Sequence, residues 1–141
     1  MIPGRTERLK TFPYIGRYRY FVTICTATRH SAFTNPDVVE ACRSQLLHSA
    51  AKHEFEVIAY CFMPDHMHLL VLGISDTADF RAFIVHFKKL TGFAYSQSRS
   101  GRLWQPGYYD HVLRHDEGPD MMVQYILENP IRAGLAKAVG E

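Results

Sequence analysis

His66 and His68 stand two residues apart, with the apolar run Leu69-Leu70-Val71-Leu72 directly behind them. Such a run reads as a strand. On a strand, residues at i and i+2 share a face and lie roughly 6.6 Å apart along the chain. Two imidazoles placed this way can converge on one cation. Farther along, Tyr125 and Asn129 are four residues apart, so on a helix a phenol and an amide share one face. If that face meets the histidine face, the site holds two imidazoles, an amide oxygen and a tyrosyl hydroxyl. Three neutral ligands leave positions open for an anion such as a phosphodiester, whose oxygen the cation would polarise. The unperturbed pKa of tyrosine is about 10, so a phenol acting as nucleophile at neutral pH needs a cation or a base beside it. Attack by tyrosine would store the phosphodiester energy in a phosphotyrosine bond, which suits cutting and rejoining better than hydrolysis.

The bland alternatives are specific. An isolated HxH in an apolar strand is more often a pair of hydrogen-bonded core histidines; the Tyr-x3-Asn-Pro downstream argues against that here. A histidine-triad phosphohydrolase would continue the alternation with another histidine, and Leu70 stands there instead.

These groups need elements to hold them. Tyr18 to Ala27 is rich in aromatic and β-branched residues and reads as a strand. Thr34-Asn35-Pro36 offers an N-cap and an early proline, and Val38, Val39, Cys42, Leu46 and Leu47 then repeat with helical period to about Lys52. Phe55 to Met63 forms a second strand, with Phe55/Val57/Ala59/Cys61 expected on one face and Ile58/Tyr60/Phe62 on the other. Pro64-Asp65 fits the centre of a type I turn, which makes a hairpin with His66 just beyond it. Asp76-Thr77 can cap a helix whose stripe is Phe80, Phe83, Ile84, Phe87 and Thr91, followed by a loop from Ser96 to Gly101. Tyr108 to Leu113 is a short strand, and a last helix runs from Gly118-Pro119-Asp120 to about Asn129. The order predicts an α+β, ferredoxin-like antiparallel sheet with helices on one face, plus a C-terminal helix. The other face is left for a ligand.

At 141 residues the chain reads as one domain over 1–141, with 1–12 as a flexible basic arm. No stretch is apolar enough to span a bilayer, and the first residues carry no apolar secretory segment. Three cysteines without a CxxC fit core residues of a cytoplasmic protein. Net charge is only +2, so the chain is no polycation. Arg5, Arg8, Lys10, Arg17 and Arg19 nevertheless cluster near the start, and Arg81, Lys88, Lys89, Arg99 and Arg102 lie in a segment without acids. Local basic segments on a near-neutral chain point to a polyanion partner at defined surfaces. Lys88 and Lys89 fall off the apolar stripe, where they can grip phosphates. Tyr108 and Tyr109 alternate faces, so one of them at most can stack on an unpaired base. Trp104 fits better as a core plug. Asp65 can orient an imidazole as well as make its turn.

Three segments together, Met63-Pro64-Asp65-His66-Met67-His68, Leu103 to Arg114 and Tyr125 to Leu135, resemble the single-tyrosine HUH transposases, and among them the REP-associated tyrosine transposases. The resemblance runs from about Pro13 to Ala138. It implies the HUH endonuclease fold, with the C-terminal helix carrying the tyrosine. It implies that His66, His68 and Asn129 hold Mg2+ or Mn2+, and that Tyr125 attaches to a 5′ phosphate at imperfect hairpins in single-stranded DNA and frees a 3′ hydroxyl. The DNA-binding positions expected are Arg17, Arg19, Lys88, Lys89, Tyr109 and Arg114. Imidazole ligands predict tighter manganese than magnesium binding. The implied function is DNA transposition by strand transfer, as a monomer or homodimer. Two alternatives stay open: a domesticated hairpin or single-strand binder that no longer cuts, and a phosphodiesterase that uses water.

Overall fold

The computed structural model describes residues 12–113, so Arg114, Tyr125, Asn129 and the expected last helix lie outside the described residues. Among the described residues four strands and two α-helices follow in the order β1 (Arg19–Cys25), α1 (Pro36–Lys52), β2 (Phe55–Met63), β3 (His66–Gly73), α2 (Phe80–Ser98) and β4 (Tyr109–Leu113), with two short 3-10 turns between β1 and α1. The sheet order is β2-β3-β1-β4 and every neighbouring pair is antiparallel, which is the ferredoxin-like layout.

Both helices start where a side chain replaces a missing backbone partner. The Asn35 side chain accepts from the Asp37 N–H at 2.9 Å, with Pro36 opening α1. The cap of α2 is Asp79, which accepts from the Ala82 N–H at 3.0 Å, and not Asp76-Thr77. Asp76 pairs instead with Arg17, and the Thr77 hydroxyl donates to Glu54. α2 also continues through the expected loop at Ser96, whose hydroxyl donates back to the Gly92 carbonyl, and the helix ends with Arg99 N–H on the Tyr95 carbonyl.

The helices lie over one face of the sheet. Val38, Cys42 and Leu46 of α1, with Phe80, Phe83, Ile84 and Phe87 of α2, join Tyr20, Val22, Ile24, Met67, Leu69 and Val71 in one buried cluster. The opposite face carries a second buried group of Phe21, Ala59, Cys61, Leu70 and Leu113. β2 serves both. Val57 pairs with Val71 and Ala59 with Leu70, so Ile58 is an extra residue, a β-bulge. Phe55 and Val57 therefore join the helix-side core while Ala59 and Cys61 join the other face. The strict alternation expected along this strand is broken there.

Candidate metal and nucleic-acid site

The two-residue turn Pro64-Asp65 closes the β2–β3 hairpin and pairs Met63 with His66. Odd and even positions of β3 then separate. Met67, Leu69 and Val71 feed the helix-side core, and His66 and His68 emerge on the opposite face. Their ring centroids are 4.8 Å apart, with planes at 75°.

Each ring is fixed at Nδ1. His66 Nδ1 is 2.8 Å from Asp65 Oδ1, and His68 Nδ1 is 3.0 Å from Thr23 Oγ1, on the neighbouring strand. Both contacts leave Nε2 as the ligating nitrogen of its ring. Phe21 stacks on His68 at 5.4 Å. Burial, assisted by His66, pulls the His68 pKa down to about 3, so this imidazole stays neutral, the form a metal binds. Burial alone would raise the Asp65 carboxyl, but hydrogen bonds from His66 and Arg29 outweigh it and hold it below its usual range. Among the described residues no third His, Cys, Asp or Glu completes a metal cluster with the pair. Two oriented imidazoles fit as part of the donor set for a divalent ion.

The other expected positions divide by location. Tyr109 pairs with Thr23, which pairs with His68, so Tyr109 sits in the row of the histidines, while Tyr108 packs against the helix-side core. His111, beside Phe21, lies on the same face as Tyr109. Arg19 shares that face but opens β1 at the far end, roughly 20 Å from the Cys25–His66 pair. Arg17 lies just before it, donating to Asp76 at 3.1 Å and to the Ile74 carbonyl at 2.8 Å. Lys88 is half-buried and donates to the carbonyls of Gln105, at 2.8 Å, and Gly107, so its ammonium braces the segment leading into β4. Lys89 is exposed on α2. Trp104 is buried and its indole N–H donates to Thr91 at 2.8 Å, the core role expected for it. Thr23 and Arg29 were not anticipated. Thr23 is a polar residue in an otherwise apolar stretch of β1, a usable signal; Arg29 reaches Asp65 from a distant turn and has none.

The sequence pattern of the IS200-like transposases matches residues 15–129. The REP-associated tyrosine transposase of Escherichia coli is 25% identical over 128 residues, covering 91% of this chain and 75% of that protein. The ISDra2 transposase TnpA of Deinococcus radiodurans is 28% identical over 130 residues, covering 87% and 91%. The fold matches a solved REP-associated tyrosine transposase bound to a REP hairpin, with TM-score 0.77 and 24% identity, over 95% of this chain and 78% of the other. A sequence pattern spanning most of the chain, and containing the anchored histidine pair, places this protein in the IS200-like transposase family.

Proposed function

We propose that this transposase nicks and rejoins single-stranded DNA beside hairpins through a 5′-phosphotyrosine on Tyr125, with His66, His68 and Asn129 holding Mg2+ or Mn2+. The observation that carries the reading is the anchoring of both imidazoles at Nδ1, by Asp65 and by Thr23. Two imidazoles side by side on one sheet face, each held at Nδ1 by its own polar partner, support a shared ligand better than two unrelated core roles. A divalent ion bound there supplies Lewis-acid polarisation of a phosphate oxygen. The chain's own residues do the remainder. Tyr125 Oη bonds to phosphorus and loses its proton, the P–O3′ bond breaks, and the 3′ oxygen departs as a hydroxyl after gaining a proton. A 3′ hydroxyl attacking the phosphotyrosine reverses the step and returns the proton to Tyr125. The position of Tyr109 in the histidine row supports a role in stacking on a base next to the scissile phosphate. The hairpin-bound state of the structural neighbour supports a hairpin partner.

The test is a labelled hairpin oligonucleotide with Mn2+. A covalent protein–DNA adduct is expected, absent in Tyr125→Phe and in His66→Ala. Tight binding with no adduct from the unaltered protein identifies a non-cleaving binder. Cleavage that persists in Tyr125→Phe identifies a water-using phosphodiesterase.

A further inference from the structure

Arg29 Nε and Nη2 each lie 3.0 Å from Asp65 Oδ2, and the other carboxylate oxygen, Oδ1, lies 2.8 Å from His66 Nδ1. We propose that Arg29 is a positioning residue: by holding one oxygen of Asp65 it aims the other at His66 and keeps the imidazole proton on Nδ1. The lone pair of Nε2 then faces the site. The inference rests on the reading that the histidine pair binds a divalent ion.

An ionised carboxylate only accepts hydrogen bonds, so the proton between Oδ1 and Nδ1 belongs to the ring. The Asp65 side chain is 29% exposed. Without a second partner it is free to rotate and to exchange its oxygens or turn to water, and His66 loses its orienting acceptor. The guanidinium removes that freedom.

The backbone is organised for the same contact. Thr28 and Arg29 have φ of 53° and 57°, a left-handed pair that residues with a Cβ disfavour. The turn persists because it is pinned on several sides. Arg29 N–H donates to the Thr26 carbonyl at 3.1 Å and Ala27 N–H to the Leu103 carbonyl at 2.9 Å. Thr26 N–H donates to the Asp65 carbonyl at 3.0 Å, and the Thr26 hydroxyl lies between the carbonyls of His30, at 2.7 Å, and Asp65, at 3.0 Å. One short segment thus holds the main chain and the side chain of Asp65 together. A purely stabilising role is a poor explanation, since an ion pair with an Arg side chain 45% exposed adds little to stability.

The test uses the full chain, metal-free, in wild-type, Arg29→Ala, Arg29→Lys and Asp65→Asn forms, with two readouts. Mn2+ affinity by calorimetry is expected to fall about tenfold in Arg29→Ala and Asp65→Asn, the usual scale for partners of metal-ligating histidines, and to recover in part in Arg29→Lys. The 15N spectrum of His66 without metal is expected to show a protonated Nδ1 in the wild type and a tautomer mixture in Arg29→Ala. An unchanged tautomer with Mn2+ affinity within about twofold of wild type overturns the inference. Should Arg29→Ala fail to fold, Arg29→Lys and Asp65→Asn decide by the same readouts. A wild type that binds no Mn2+, with the tautomer still shifting in the variants, leaves Arg29 as the positioning residue and removes the metal from the proposed function.

Discussion

Thr23 Oγ1 and His68 Nδ1 meet at 3.0 Å across the β1–β3 pair, with both residues fully buried. Thr23→Val keeps the shape of the side chain and deletes the hydroxyl. Loss of that partner inside the protein is expected to cost about 1–3 kcal/mol. Urea unfolding measures it, and Thr23→Ser should recover most of the loss. Equal stability of Thr23→Val and wild type would show that the contact contributes nothing.

Lys88 and Lys89 are neighbours with different work. Lys88→Met removes the ammonium from the carbonyls of Gln105 and Gly107 and is expected to destabilise by about 1.5–3 kcal/mol. Exposed Lys89 is expected to act on DNA. Lys89→Ala should leave unfolding unchanged and reduce the log–log salt slope of single-strand binding by about 0.7. An unaltered slope would make Lys89 ordinary surface.

His53 Nε2 and His86 Nδ1 are 3.2 Å apart, joining the end of α1 to α2. A hydrogen bond between two imidazoles needs one nitrogen deprotonated. Burial lowers the pKa of both, and Lys52 adds to it in each; His53, His48 and Lys89 also face His86, while Asp79 pulls His53 the other way. Their folded pKa values lie below the unfolded value of about 6.5. Between those values the unfolded chain binds more protons, so stability is fully present above about pH 6.5 and declines as pH falls below it. The urea midpoint should drop between about pH 7.5 and 5.5, and drop less in a His53→Gln, His86→Gln double variant. Parallel declines in the two proteins would rule the pair out as the cause.

Gly73 ends β3 where a Cβ would lie 2.1 Å from the Gly16 carbonyl oxygen and 3.1 Å from Ala78 Cβ. Main chain cannot yield as a flexible side chain does. Gly73→Ala is therefore expected to lose ~1–3 kcal/mol or more, seen as a lower Tm. A wild-type Tm would mean that the Tyr14–Arg19 segment moves away at no cost.

The elements whose signals are local could be read from the chain. The Asn35-Pro36 start of α1, the Pro64-Asp65 hairpin and the stripe from Phe80 to Thr91 all appear where their residues place them. The histidine pair was legible because period-two alternation alone puts it on one face. What escaped depends on contacts far apart in sequence. The cap was expected at Asp76-Thr77; Asp79 fills that role, and Asp76 lies against Arg17, 59 residues away. Lys88 looked like a phosphate ligand because nothing nearby announces the two carbonyls that it holds. Arg29 lies 36 residues from Asp65, and no periodicity reaches that distance.

The extra residue in β2 works as a phase corrector. Before Ile58 the odd positions face the helices; after it they face the histidines. Straightening the strand with that residue kept in the alternation would turn the rings of Tyr60 and Phe62 toward the histidines and send Ala59 and Cys61 under the helices, trading bulk for small side chains on both sides at once. Because Ile58 is the residue that β3 skips, its deletion would leave Val57 opposite Val71 and Ala59 opposite Leu70, so the facing of β2 should survive the loss of Ile58 but not the loss of a neighbouring paired residue.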